Sequence, residues 1–231
     1  MNRLFVLLLC ILSISLAACT SNEIGNSEDV NPESIYFDYK IWGEEGNDNL
    51  TIKLQYRFAG ENGTTLLLDG PSKVELDGEV LKADSSKITG VFYEIEKPVA
   101  SFPGKHVITF TDGNNKQYKE VFHFEPITLT NPVPISIQRS DLVFEFNGLS
   151  NEDNVRVLMT DTSYLSEEIN RVDTVKNGRL IISKEELLAL SNGPVHLEIT
   201  KEFERPVKNG TREGGRISIS YGLKREFILE D

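Results

Sequence analysis

From Ser34 onward the chain alternates apolar and polar residues with a period of two, the period of a half-buried β-strand and not of a helix. Ile35, Phe37, Tyr39 and Ile41 alternate with Tyr36, Asp38, Lys40 and Trp42; Leu50, Ile52, Leu54 and Tyr56 alternate with Thr51, Lys53, Gln55 and Arg57. Asp77-Gly78, set between residues 74–76 and 79–81, spells a two-residue hairpin, because its turn wants positive φ at both central positions. Residues 91–95 read as a strand, and 106–111 and 117–124 as a hairpin closed by Asp112-Gly113-Asn114-Asn115. About seven short strands at this spacing predict one all-β sandwich over residues 34–126.

Pro126, Pro132 and Pro134 punctuate residues 125–134. Proline removes ladder donors and stiffens a connector, so this stretch is expected to divide the chain. A second β-sandwich is expected over 127–231, with strands at 135–137, 142–146, 155–159, 169–175 and 179–182 and an Asn177-Gly178 turn. One short helix near 183–191 is signalled by Ser183 as N-cap and Glu186 at the capping-box position, with Asn192-Gly193-Pro194 ending it. A long hairpin closes the chain, 195–203 and 216–229 flanking a Gly-rich loop.

The chain has 36 acidic and 24 basic residues, a formal net charge of -12 spread over both halves. That balance excludes a general nucleic-acid binder, which neutralises phosphates with clustered Lys and Arg. Lys201, Arg205, Lys208, Arg212 and Arg216 crowd the last hairpin loop, but Glu202, Glu204 and Glu213 interleave with them, as on a solvated hairpin.

Residues 1–18 read as a secretory signal, with Arg3 as the single charge, an apolar run over 4–12 and small residues before the cleavage point at Ala18 and Cys19. The run is too short for a membrane-spanning helix, which needs about 20 apolar residues. Leu16-Ala17-Ala18-Cys19 resembles a bacterial lipobox. That resemblance implies lipidation of Cys19, whose thiol would carry a diacylglycerol thioether and anchor the chain through its buried methylenes. Cys10 would leave with the signal, so the mature chain would hold no disulfide. Thr20 in place of Asp implies sorting to the outer membrane, on its periplasmic face or at the cell surface; Glu23, Glu28 and Asp29 loosely resemble surface-export signals of Bacteroidota lipoproteins. Residues 19–33, rich in Asn, Ser and acid, are expected to form an acidic flexible tether after the acylated cysteine.

Catalytic signatures are missing. There is no Gly-x-Ser-x-Gly elbow and no His-Glu-x-x-His, and His106, His123 and His196 stand far apart. Asp112–Asn115 and the acid- and Asn-rich stretch 151–154 are dense in oxygen donors without the spacing of a calcium hand, and read as turns. No catalytic residue, metal site or cofactor is therefore assigned. Trp42 shares a strand face with Tyr36, and the two are the candidate ligand platform, since sugar faces stack on such rings. Asp173-Thr174-Val175 resembles a short O-glycosylation motif of Bacteroidota secreted proteins.

With the lipobox at 16–19 and Gly178–Ile182, Asn192–Pro194 and Gly214–Ile219 near the C-terminus, the chain resembles Bacteroidota-type outer-membrane lipoproteins carrying tandem immunoglobulin-like β-sandwich domains. The resemblance implies a non-catalytic binding or accessory module of the cell envelope, held to the membrane by its lipid and presented to a glycan or an envelope protein. The alternative is a structural spacer or assembly subunit joined by strand-edge pairing. A small carboxylate-dependent hydrolase is the third reading.

Overall fold

The structure is a computed structural model and describes residues 24–151, 153–163 and 166–231. The signal sequence, the cleavage point at Ala18 and Cys19, and the start of the expected tether lie outside the described residues. The chain is nearly all β. No helix among the described residues is long and apolar enough to cross a membrane.

The first half carries β1 (Ile24–Asn26), β2 (Ile35–Glu44), β3 (Asn49–Phe58), β4 (Thr64–Leu67), β5 (Lys73–Leu76), β6 (Glu79–Val80), β7 (Ala83–Ser86), β8 (Gly90–Pro98), β9 (Gly104–Thr111) and β10 (Gln117–Phe124). One layer is a four-stranded sheet in the order β10-β9-β5-β6, and it faces β2, β3 and β8. The alternation read in β2 is realised: Ile35, Phe37, Tyr39 and Ile41 are each 1% exposed. Aromatic rings join the two layers. Tyr56 stacks on Phe110 with centroids 4.5 Å apart, and Phe37 meets Phe110 edge-on at 5.1 Å. Tyr39 and Tyr56 bring their hydroxyls to 3.2 Å, so that each buried polar tip has a partner. The turn at Asp77-Gly78 has φ of 52° and 87°, as a two-residue hairpin demands.

The second half carries β11 (Thr128–Leu129), β12 (Ser136–Gln138), β13 (Leu142–Asn147), β14 (Asn154–Asp161), β15 (Ile169–Thr174), β16 (Arg179–Ile182), α1 (Lys184–Leu187), β17 (Gly193–Pro206) and β18 (Gly215–Glu230). A short sheet β11-β13-β16 lies over the layer β15-β14-β17-β18. Phe144, Val157, Met159, Leu197 and Phe227 are among the side chains buried there. The capping box at α1 is formed, Ser183 Oγ accepting from the Glu186 amide while the Glu186 carboxylate accepts from the Ser183 amide at 2.9 Å.

Three features depart from the boundaries read in the sequence. Residues 24–33, expected as tether, are folded: β1 pairs in parallel with β4, and Ser27, 2% exposed, donates to Asp69 Oδ1 at 2.8 Å. Main-chain pairing needs no apolar side chain, so composition alone does not report it. The proline-rich stretch is half incorporated, for Ile127 is fully buried and β11 pairs with β13. Most consequentially, the sheet does not stop at residue 126. Gly215–Gly222 of β18 pairs in parallel with Phe37–Glu44 of β2, and this joins both halves into one eleven-stranded sheet. The approach is close: a Cβ on Gly215 would lie 2.4 Å from the Phe37 carbonyl oxygen. The β17–β18 hairpin is thus shared, its base in the second sandwich and its tip closing the first.

Candidate functional site

The shared hairpin leaves a groove at the junction. Along β17 the odd-numbered residues face inward, and Val195, Leu197 and Ile199 are buried in the second core. Past Ile199 the same face carries Lys201, Phe203 and Arg205, and β14 stops pairing at Lys201. The covering sheet ends at β10. Among the described residues no strand of the covering layer pairs with this part of β17, and an open groove of about 450 Å³ lies beside it. Its back is formed by Phe124 and Tyr221, buried rings in edge-to-face contact at 6.0 Å. Its walls carry the exposed side chains of Val121 (41%) and Phe203 (45%), with Ile219 between.

Charge rings this apolar strip. Lys201 is anchored by Asp153 Oδ2 and the Gly148 carbonyl, both at 3.0 Å. Arg205 spans the gap between the two sheet edges: Nη2 donates to the Val121 carbonyl at 2.9 Å and Nη1 pairs with Glu120 at 2.6 Å. Glu120, 2% exposed, also accepts from the Lys208 amide at 2.7 Å. Lys105 and Lys208 line the groove and have no carboxylate within salt-bridge distance among the described residues. His123 is 66% exposed and 3.7 Å from Glu125. Groups able to bind an anion therefore border apolar surface, on a chain that is strongly acidic overall.

Tyr36 and Trp42 lie on the outer face of the sheet, away from this groove. They share a face of β2, but they stand six positions apart, about 20 Å of strand, with Asp38 and Lys40 between. Trp42 is 39% exposed. Tyr36 sits beside a charged cluster in which Arg216 holds Asp38 at 3.0 Å and Glu61. Burial, and then the nearby Glu61 carboxylate, push its phenol up. The two rings form no contiguous aromatic surface.

The histidines are dispersed. His106 stacks on Phe102 at 3.7 Å with Asp77 at 2.7 Å from Nδ1, and His196 lies 3.8 Å from Glu226. No group of three or more His, Cys, Asp or Glu that could hold a metal occurs among the described residues. The Asp112–Asn115 loop is an Asp-capped turn, Asp112 Oδ1 accepting from the amides of Asn114 and Lys116 at 2.8 and 2.9 Å.

The sequence marks Lys201, Arg205 and Lys208 as a basic cluster but not as part of a groove, because the opposing wall is β10, far away along the chain. The available signal is the change on the inner face of β17 from apolar to basic at Lys201.

No family model matches the chain, and no curated protein matches it. Among solved structures it is similar to a tetra-tandem repeat in the extending region of a large adhesion protein, at 11% identity and a TM-score of 0.26, over 86% of this chain and 68% of that one. It is also similar to the Bacteroides ovatus mixed-linkage glucan utilization locus protein SGBP-B in complex with a mixed-linkage heptasaccharide, at 10% identity and a TM-score of 0.24. That match covers 85% of this chain and 60% of the other, under two thirds of its length. A likeness of this degree leaves function to be argued from the chain itself.

Proposed function

We propose that the protein is a lipid-anchored module of the bacterial outer membrane, held by Cys19, that binds a partner non-catalytically through the groove between β10 and the tip of the β17–β18 hairpin. The anchor is supported by the Leu16–Cys19 lipobox pattern. The binding role rests on one observation: a stripe that is core-facing in the second sandwich runs on past the last pairing with β14 as Lys201, Phe203 and Arg205, with the Phe203 ring 45% exposed. Exposed apolar area bordered by charge is what a recognition surface presents, whereas a spacer has no use for it.

A photo-crosslinking amino acid, p-benzoylphenylalanine, placed at Phe203 or at Trp42 in living cells tests the reading. Irradiation is expected to give a shifted species with the Phe203 probe that the Trp42 probe does not give. A shift from position 42 alone would move the site to the outer face; no shift from either would refute a binding role. Glycosidase or protease treatment of the adduct then tells glycan from protein. Cys19→Ala is expected to move the protein from the membrane to the soluble fraction, or to leave it unprocessed, and continued membrane attachment with unchanged processing would refute the anchor.

A further inference from the structure

We propose that the groove accepts an extended peptide segment bearing acidic and apolar side chains in alternation, and that this segment adds to β10 as a fifth strand of its sheet. The inference rests on the groove being a binding site and names what it binds.

Among the described residues β10 is a sheet edge, paired with β9 alone. A strand residue points its N–H and C=O to the same side, so the bonds from Asn209 Nδ2 to the Lys119 carbonyl and from Arg205 to the Val121 carbonyl identify the odd-numbered residues as those facing outward. The hairpin tip thus occupies the edge at Lys119 and Val121. Beyond them the Val121 and His123 amides and the His123 carbonyl have no hydrogen-bond partner among the described residues. These are the residues that form the groove wall. Across the gap, residues 202–206 of β17 have β18 on one side and, among the described residues, no strand on the other.

The β10 edge beyond the Val121 carbonyl and the β17 edge past Lys201 thus flank the exposed side chains of Val121 and Phe203. An added strand would satisfy main-chain groups on β10 and place alternate side chains over Phe203 and Ile219, the mode by which exposed sheet edges capture peptides. Charge selects its sequence. Lys105 and Lys208 lack carboxylate partners among the described residues, so carboxylates on the incoming strand meet two unpaired cations, whereas Lys201 and Arg205 are already held by Asp153 and Glu120.

The test uses capped Val-Glu-Val-Glu-Val-Glu-Val, the same peptide N-methylated on alternate residues, its Lys counterpart and polygalacturonate, titrated into the isotopically labelled protein. The acidic peptide is expected to shift the Val121 and His123 amide resonances and slow their exchange with solvent. N-methylation, which removes main-chain donors and leaves side chains alone, is expected to weaken binding at least about tenfold. Lys105→Glu and Lys208→Glu are each expected to weaken it several-fold, and less at high salt. Equal binding of the N-methylated or the Lys peptide would overturn the inference, as would absence of any shift at β10 at millimolar peptide. Polygalacturonate shifting these residues where the peptide does not would overturn the peptide and keep the groove. Whether the groove binds anything in the cell is decided separately, by the crosslink at Phe203.

Discussion

Arg205→Ala removes the side chain that bridges the two sheet edges and leaves Glu120 without its cation. Glu120 is 2% exposed and stands 2.6 Å from Arg205 Nη1. The gross attraction of two unit charges at that separation is about 6 kcal/mol at an effective dielectric constant of about 20, and desolvation offsets most of it. The cost of breaking a buried pair by removing one partner is larger than the net worth of the pair, about 3–5 kcal/mol, because a charge is then buried alone. Arg205 is itself 19% exposed beside an open groove, and Glu120 keeps its bond from the Lys208 amide. The loss is therefore expected at the lower end, about 3 kcal/mol. For a chain of this size that lowers the melting temperature by roughly 6–12 °C. Urea unfolding followed by far-ultraviolet circular dichroism measures it directly. Arg205→Met combined with Glu120→Gln, which removes both charges and fills similar space, is expected to return to within about 1 kcal/mol of the parent. A single variant within about 0.5 kcal/mol of the parent would refute the argument that Glu120 depends on Arg205.

Gly215→Val is expected to destabilise the protein by more than about 2 kcal/mol, since the added Cβ would collide with the Phe37 carbonyl in a β2–β18 pairing that cannot widen; an unchanged urea midpoint would contradict that geometry. The Glu33 carboxylate is held below its ordinary value of 4.5, first by the hydrogen bond from Lys116 and next by the Arg212 amide. A depressed folded value contributes stability above the unfolded value and loses it as pH falls through the folded one. Protease cleavage within residues 24–33 is therefore expected to rise selectively as pH drops below 4.5, and to do so at neutral pH in Glu33→Gln; equal cleavage at all pH values would be the contrary result. Burial pushes the phenols of Tyr39 and Tyr56 well up and that of Tyr93 to about 12. These raised values favour the folded state below pH 10, a contribution lost as pH climbs toward 12. Spectrophotometric titration should show tyrosines ionising abruptly with alkaline unfolding; smooth ionisation of all seven near pH 10 would speak against their burial.

β2 and β3 were legible because each has one face on the core, so their sequences alternate. β7 was not, since all four of its residues are exposed, none is a large apolar side chain, and it is held by main-chain pairing with β8. β1 escaped notice because it too is held by main-chain pairing, with β4, and buries no large side chain. The turns at Asp77-Gly78 and Asn177-Gly178 were legible from local chemistry, for their positive φ angles suit those residue pairs. The destination of the β17–β18 tip was not, because pairing between Phe37 and Gly215 is a matter of tertiary arrangement and leaves no local mark. For that reason the basic residues of the tip read as solvated, whereas three of them, Lys201, Arg205 and Lys208, line the groove. Trp42 and Tyr36 share one face of β2 by strand period, but that period says nothing about what lies between two rings six residues apart.

The parallel pairing of β2 with β18 also sets the order in which this molecule can be built. The first sandwich borrows a strand that is made almost last, so its sheet stays open until residue 222 is available. Contacts of such long sequence separation are slow to form. The borrowed strand acts as a late latch, delaying closure of the first sandwich until nearly the whole chain is present.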